Sequence, residues 1–590
     1  MSQLHPLHET QSHRVVAWGR VLIACIMALM VVQLLRVAQL KVQPNERLAS
    51  AVGTPISSKP ELTRRGDLLD RRGRVIATST LGYKLFVDPS IVADPSTIAL
   101  DLGALLKIDP VAIDKRLVPR LDTRYAVVVD VLEDWQVDAV RHARIRGVGL
   151  EPRLVRHYPH GTLASALVGM VGFEHTGLAG FEHVHEKTLA PTHGKLTYLR
   201  DVRRRALWID PDGYKPGQTG GTARLSIDLI IQEIAERRLR QAVSEFNAGG
   251  GRMVVLDVQT GEILAMVDVL NNKVTPRGGN WTPHTTDPMR WIHPALARNR
   301  CVTDPYEPGS TFKPFVWAVA TELGKAKLEE VLPTPPPGVV FRTSRGRQIR
   351  DAYNTANVTW RTVLIKSLNS GMAIVAERMT EREMREAVTR FGFGQRTNCG
   401  LPGETAGILT SRRNWNHYTQ TSVAMGHEIA VTPLQMVRAF AVFARDGTLP
   451  KLRTTAAIEG DDVEIVHRVL PAEITLIARE AMRDVMTQGT GRKAQSERYQ
   501  LFSKSGTAQL PRADRRGYHQ DRYVSSFIAG APFNEPRLVV LCVIDDPDKD
   551  KGHFGGAIAG PVVRDVIDEA LDYLGVEPDQ PNAAQHLAAR

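Results

Sequence analysis

The chain has 590 residues, a formal net charge of +11 and a pI near 9.5. This length predicts more than one domain, and the 43% hydrophobic and 24% charged residues are ordinary for globular domains. A basic surface would suit nucleic acid, but no zinc-finger or RNA-binding signature accompanies the charge, so we expect no nucleic-acid partner. The four cysteines form no CxxC pair, so the sequence predicts no disulfide framework.

An apolar run near the N-terminus predicts a membrane anchor. Residues 15–35 are about as long as one helix needs to cross a bilayer, and their one charge, Arg20, lies near the N-terminal end. A cleaved signal peptide is the alternative, but no small-residue cleavage site directly follows the run. Basic residues flank it on both sides, so charge alone does not decide its orientation.

Helix and strand patterns follow a polar linker. Helix-like and strand-like segments alternate irregularly up to about residue 215. Asp228 is then predicted to be the N-cap residue of an amphipathic helix. Residues 251–269 predict a β-hairpin, and a long loop is expected over 271–299. Strong strand patterns near 525–545 precede a helix at 561–576. This order favours an α+β or α/β catalytic domain.

The stretch EPGSTFKPF, residues 307–315, places Lys313 three positions after Ser310. Residues three apart on a helix share a face, so the hydroxyl and the amine could touch. A helix N-terminus also favours the negative charge that an activated serine develops. Pro314 is compatible only with the first turn of such a helix. Taken alone, however, the stretch is more simply interpreted as a helix cap followed by a solvated lysine.

Two further stretches change that interpretation. KSLNSG contains Ser367 and Asn369, and KSGTAQ begins at Lys504. The order S-x-x-K, S-x-N, K-S/T-G is typical of penicillin-binding proteins and serine β-lactamases. The chain resembles a class B penicillin-binding protein, most closely the cell-division (septal) type of peptidoglycan D,D-transpeptidase. The resemblance also rests on RRGDLLDRRGRVIA, RHYPHGTLASALVGMVG, GLAGFE, AMGHEIAVTPLQM and GGAIAGPVV.

The resemblance implies the site residues. They are Ser310, Lys313, Ser367 and Asn369 for catalysis, and Lys504, Ser505, Gly506 and Thr507 for substrate binding. A lysine can act as the base only if burial or a neighbouring positive charge lowers its pKa. The KSGT run is expected to be an edge strand along which a peptide can pair. Backbone N–H groups at 310 and 507 are the implied oxyanion hole.

The sequence departs from the family pattern at three places. They are Leu368 within the second motif, Ser505 in the third, and the run Gly426–Glu428 in place of a glycine-aromatic-glycine run. The last departure is expected to alter a wall of the cleft. His175, His183 and His185 near Glu182 fit no strong metal signature, and we expect neither a metal nor a cofactor.

The implied fold is a multidomain α+β protein with a transmembrane helix, an elongated mixed α/β pedestal, and a transpeptidase domain built on an antiparallel sheet flanked by helices. The expected divisions are a cytoplasmic segment at 1–14, the transmembrane anchor at 15–37, a linker at 38–60, the pedestal (dimerisation) domain at 61–215, the transpeptidase domain at 216–575 and a disordered tail at 576–590.

The implied function is cross-linking of stem peptides through a Ser310 acyl-enzyme during septal wall synthesis. The alternatives are an elongation-type transpeptidase, a D,D-carboxypeptidase or β-lactamase, and a non-enzymatic membrane scaffold. Expected ligands are stem peptides and β-lactams, and expected partners are other cell-wall synthesis and division proteins of the membrane. The expected location is the cytoplasmic membrane, with the catalytic domain outside.

Overall fold

The computed structural model describes residues 7–43, 56–92, 94–172, 174–200, 206–271, 298–458, 460–512 and 517–580. They divide into two units, one comprising the chain up to residue 63 with 192–218, the other 64–191 with 219 onward. The predicted pedestal, 61–215, therefore contributes to both units. Most of the predicted loop 271–299 and the last ten residues of the predicted tail lie outside the described residues.

The helices are α1 Leu7–Val42, α2 Pro95–Leu106, α3 Pro110–Leu117, α4 Asp134–Ala143, α5 Ser165–Val168, α6 Gly180–Val184, α7 Glu186–Leu189, α8 Leu229–Glu245, α9 Arg300–Thr303, α10 Lys313–Glu322, α11 Trp360–Lys366, α12 Asn369–Ala376, α13 Glu381–Thr389, α14 His417–Ala424, α15 Pro433–Ala444, α16 Ala472–Gln488, α17 Gly555–Ile558 and α18 Gly560–Tyr573.

The strands are β1 Ile56–Pro60, β2 Leu68–Leu69, β3 Val75–Val87, β4 Ala126–Val129, β5 Val148–His157, β6 Lys195–Arg200, β7 Ala206–Lys215, β8 Ala223–Arg224, β9 Gly250–Asp257, β10 Ile263–Leu270, β11 Val331–Leu332, β12 Phe341–Arg342, β13 Gln348–Ile349, β14 Val358–Thr359, β15 Ile408–Leu409, β16 Ile429–Ala430, β17 Thr448–Pro450, β18 Ile465–Arg468, β19 Phe502–Pro511, β20 Tyr518–Ala531 and β21 Leu538–Asp545.

The first unit contains the predicted anchor and a small sheet. Helix α1 covers the whole predicted span 15–37 and continues into the predicted linker. Its segment Arg14–Val42 is long and apolar enough to cross a membrane, and its large apolar side chains are exposed. The last five residues of the predicted linker form β1, which pairs with β6 in the antiparallel sheet β1-β6-β7.

The second unit begins with a sheet in which β3 is the central strand. β3 pairs with β2, β4 and β5, and the strand order is β4-β3-β2-β8. Helices α2 and α3 each begin with a proline behind an aspartate cap, Asp94 and Asp109, which suits the first turn. The apolar sides of α2, α3 and α4 form a core with β3 and β4.

The second sheet of this unit is antiparallel and has the order β10-β9-β21-β20-β19. Along β9, Val254 and Leu256 belong to one apolar core, while Met253 and Val255 belong to another. Successive side chains of a strand point to opposite faces, so this sheet is buried on both faces. The predicted hairpin and the cap at Asp228 are confirmed, because β9 pairs with β10 and the carboxylate accepts from Ile230 N.

Strand β19 lies at the edge of this sheet, as predicted for the KSGT run. Next to it, α10 is buried from Lys313 to Ala320. Stacked indoles of Trp317 and Trp360 pack on one side of this helix, and the rings of Phe315 and Phe393 lie 5.1 Å apart on another. A helix packed all round has little freedom to move, which fixes the residues at its N-terminus.

Arginines of the RRGDLLDRRGR run form ion pairs. Arg65 Nε lies 2.8 Å from Glu182 Oε2, and Arg156 Nε lies 2.7 Å from Glu182 Oε1. Arg74 binds Asp228, which connects this run to the cap of α8. Glu182, considered above among possible metal ligands, is buried between two guanidinium groups.

We expect Glu182→Gln to destabilise the protein strongly, because it leaves Arg156 buried without its counter-charge and Arg65 with only its pair to Glu186. Breaking a buried pair by removing one partner costs roughly 3–5 kcal/mol. The shift would be measured as the denaturant midpoint of the full-length protein in detergent. Lys451→Ala is the control, because the Lys451–Glu464 pair is more than half exposed and worth about 1 kcal/mol or less. Equal shifts for the two variants would contradict the proposed importance of Glu182.

Candidate active site

Ser310 lies in the 3₁₀ turn Gly309–Phe312, which runs directly into α10. Lys313 is the first residue of α10, and Pro314 occupies its first turn as the sequence predicted. Gly309 has φ +55°, a left-handed conformation that glycine adopts without strain. Ser310 is partly exposed, whereas the Lys313 side chain is fully buried. A partly exposed hydroxyl and a desolvated amine therefore lie three residues apart in the chain.

The turn that carries Ser310 is held between two glycines. Gly309 N donates to Gly426 O at 3.0 Å, and a Cβ on Gly426 would overlap the Gly309 carbonyl. On the other side, a Cβ on Gly506 would lie 2.8 Å from Pro308 O and 2.6 Å from Ser526 Oγ. Only glycine allows this approach of backbone to strand. The first and third sequence motifs therefore meet here.

The second motif binds the Lys313 amine. Lys313 Nζ donates to Ser367 O and to Asn369 Oδ1, both at 2.7 Å, and lies 3.4 Å from Ser367 Oγ. Ser367 has φ +60° at the end of α11, and Asn369 opens α12. The sharp turn between the two helices brings both residues to the same amine.

The two lysines share the Ser367 hydroxyl. Lys504 Nζ donates to Ser367 Oγ at 2.9 Å and to Ser505 O at 3.1 Å. Both amines are fully buried. Burial lowers the pKa of Lys313 to about 7, although the Asp351 carboxylate opposes the shift. Burial, and then repulsion by Lys313, lowers the pKa of Lys504 well below its ordinary value. A neutral amine at physiological pH can accept a proton.

The hydroxyls of the third motif have partners of their own. Ser505 Oγ lies 2.6 Å from Thr490 Oγ1, and Thr507 Oγ1 accepts from Gly555 N at 3.0 Å. A Cβ on Gly555 would overlap the Gly506 carbonyl. The start of α17 is thus packed closely on β19.

The predicted change at Gly426–Glu428 produces a polar contact beside the Ser310 turn. His427 Nδ1 donates to Glu307 Oε2 at 3.0 Å, and Glu428 N donates to Glu307 Oε1 at 3.1 Å. Tyr518 OH donates to the same Oε1 at 3.0 Å. The segment before Ser310 is therefore connected both to this run and to the first residue of β20.

Sequence reasoning missed several of these contacts. Asp351 accepts hydrogen bonds at the start of α12, and Thr490 contacts Ser505. Neither residue belongs to a spaced motif, so the sequence carried no signal for them. Glu307 lies inside a quoted motif, but its partner Tyr518 is distant in the chain and only the fold brings the two together.

Two family models match the chain. The penicillin binding protein transpeptidase domain matches residues 251–568, and the penicillin-binding protein dimerisation domain matches 60–225. The chain is 28% identical over 582 residues to the peptidoglycan D,D-transpeptidase FtsI of Escherichia coli K12, covering 97% of this chain and 95% of that protein. It is 30% identical over 571 residues to the probable peptidoglycan D,D-transpeptidase PenA of Neisseria gonorrhoeae, covering 96% and 93%.

Solved structures show the same fold. A peptidoglycan synthetase from Bifidobacterium adolescentis aligns with a TM-score of 0.65 at 23% identity, over 89% of this chain and 98% of that one. The transpeptidase domain of penicillin-binding protein 3 from Burkholderia pseudomallei aligns with a TM-score of 0.53 at 32% identity, over 60% and 98%.

We expect Gly506→Ala to slow reaction of Ser310 with a fluorescent β-lactam, because the new methyl group would push the Ser310 turn away from β19. Misplacement of reacting groups by about 1 Å costs roughly 100-fold in rate. The rate would be followed by in-gel fluorescence. Gly19→Ala in α1 is the matched control, since nothing lies within 4 Å of its added methyl. A normal rate for Gly506→Ala would contradict the close packing.

Proposed function

Because the chain belongs to the penicillin-binding protein transpeptidase family, we propose that Ser310 forms an acyl-enzyme with peptidoglycan stem peptides and passes the acyl group to a neighbouring stem. The protein is a class B, cell-division type peptidoglycan D,D-transpeptidase. The observation that best supports these residue roles is the burial of the Lys313 amine, which donates hydrogen bonds to Ser367 O and Asn369 Oδ1.

Acylation begins with proton transfer from Ser310. A serine hydroxyl is a weak nucleophile until a base takes its proton, and a lysine with a pKa of about 7 is neutral often enough to do so. Ser310 Oγ attacks the penultimate D-alanyl carbonyl, forming a tetrahedral intermediate. Ser367, hydrogen bonded to Lys504 and near Lys313, relays the proton to the leaving amine of the terminal D-alanine.

The tetrahedral oxyanion is stabilised by the backbone N–H groups of Ser310 and Thr507. The close approach of Gly309 to Thr507 supports this role, because a Cβ on Gly309 would lie 3.6 Å from Thr507 O. Removing one such donor costs roughly 3–4 kcal/mol in acyl-transfer transition states. This stabilisation acts only as charge develops, so it accelerates the chemical step.

The donor peptide binds along β19. An exposed sheet edge can accept an extended peptide as an added strand. Lys504, Ser505 and Thr507 provide donors for the terminal carboxylate, and Gly506 keeps the strand accessible. A side-chain amine of a second stem then attacks the ester carbonyl, Ser310 leaves with a proton, and a cross-link forms. β-Lactams acylate the same hydroxyl.

The protein is held in the membrane by α1. Its length and apolar composition fit a single-pass protein of the cytoplasmic membrane. The substrate lies outside that membrane, so the catalytic unit is assigned to the outer side. Division and wall-synthesis proteins of the same membrane are the proposed partners.

We expect Ser310→Ala to abolish labelling of the membrane-bound protein by a fluorescent penicillin, because no other group would form the ester. Ser244→Ala is the matched control, as Ser244 is exposed on α8. Persistent labelling of Ser310→Ala would contradict the assignment of the nucleophile.

Continued hydrolysis of penicillin by the purified wild-type protein, with no cross-linked product from stem peptides, would favour a hydrolase instead.

The rate of acylation by penicillin should rise with pH and reach half its plateau near the Lys313 pKa of about 7. A base must be unprotonated, so the rate is lost as the pH falls through this value. Stopped-flow or quenched-gel measurements of the full-length protein would give the profile. Lys313→Arg, which keeps its proton throughout, should be slower by roughly 100-fold or more. A half-plateau in the ordinary lysine range would contradict the general-base role.

A further inference from the structure

Asp351 caps the helix that carries Asn369. It follows β13, and its Oδ1 accepts from Asn369 N and from Ser370 N, the latter at 3.0 Å. Its Oδ2 accepts from Ser370 Oγ at 2.5 Å. Leu368, at the N-cap position of α12, has no side-chain oxygen to do this. A residue distant in the chain therefore satisfies the first N–H groups of α12.

The same loop also fixes the Asn369 side chain. Asn369 Nδ2 donates to Arg350 O at 2.8 Å, which leaves Oδ1 directed at Lys313 Nζ. Both the backbone and the amide of Asn369 are thus held by two consecutive residues. A shift of this loop would change the direction of the hydrogen bond that Lys313 donates to Asn369 Oδ1.

Two charged groups, Lys504 and Asp351, lie near the Lys313 amine. Lys504 lies across the Ser367 hydroxyl, and Asp351 lies behind Asn369. The Arg350 side chain points to solvent and is exposed. The Asp351 carboxylate acts against burial and raises the pKa of Lys313, whereas Lys313 itself disfavours a charged Lys504. Asp351 is therefore the acidic group that favours a proton on this amine.

We propose that Asp351 is a positioning residue for acyl transfer: it holds Asn369 against the Lys313 amine, and its negative charge sets the pH range in which that amine acts as a base. This inference rests on the proposed function. Asp351 does not contact the reacting atoms, and its effect passes through Asn369 and through the electric field at Lys313.

The two effects can be separated by substitution. Asp351→Asn keeps an oxygen that accepts from the Asn369 and Ser370 N–H groups but removes the charge. Asp351→Ala removes both the cap and the charge. Ser370→Ala deletes one donor to Asp351 and leaves the charge in place. Asp101→Asn, at an exposed position on α2, controls for the change in net charge.

The rate of acylation by fluorescent penicillin would be measured against pH for the full-length protein in detergent. For Asp351→Asn we expect the half-plateau to move to lower pH by roughly one unit, since loss of an opposite charge disfavours the protonated lysine. Its plateau should stay within about 3-fold of wild type, because the cap persists. Asp351→Ala should show the same shift and a plateau lower by roughly 10-fold or more. Ser370→Ala and Asp101→Asn should keep the wild-type half-plateau.

An unchanged half-plateau for Asp351→Asn would overturn the electrostatic part of the inference, and an unchanged plateau for Asp351→Ala would overturn the positioning part. If Asp351→Ala fails to fold, Asn369→Ala provides the second test: it should lower the plateau, and a wild-type plateau would overturn the positioning part. Failure of the proposed function would appear differently, as labelling of the Ser310→Ala variant or no labelling of the wild type.

Discussion

The chemistry proposed for this protein depends on burying one amine without pairing it to an adjacent carboxylate. Lys313 is fully buried, and its hydrogen-bond acceptors are a main-chain carbonyl, a side-chain amide and a hydroxyl. A direct ion pair would keep the amine charged, and such an amine cannot accept a proton. Neutral acceptors hold the group in place while desolvation favours loss of its proton.

Packing provides the rigidity that the amine requires. The aromatic side chains packed around α10 hold the helix that begins at Lys313. Close contacts at Gly426 and Gly506 hold the Ser310 turn from both sides. The proposed nucleophile and its proposed base are therefore held by different contacts, where the Ser310 turn runs into α10. A reacting geometry held by packed elements needs little reorganisation when substrate binds.

The sequence predicted what short-range patterns encode. The cap at Asp228, the hairpin of β9 and β10, and the edge position of the KSGT strand follow from local propensity and motif order. The three site motifs were recognisable because their spacing within each motif is fixed by one turn or one strand. Contacts between distant segments carry no such pattern, which is why Asp351 and the Glu307–Tyr518 hydrogen bond required the fold. The division of residues 61–215 between two units likewise depends on the pairing of strands that lie far apart in the sequence, β1 and β6.

An open strand such as β19 also affects how copies of the protein behave toward one another. A free row of N–H and C=O groups invites pairing with any extended chain, including a second copy. Here the strand ends at Pro511, which lacks an N–H group, and Gly555 at the start of α17 packs against Gly506 within the strand. Both features limit how far an added chain could extend along β19.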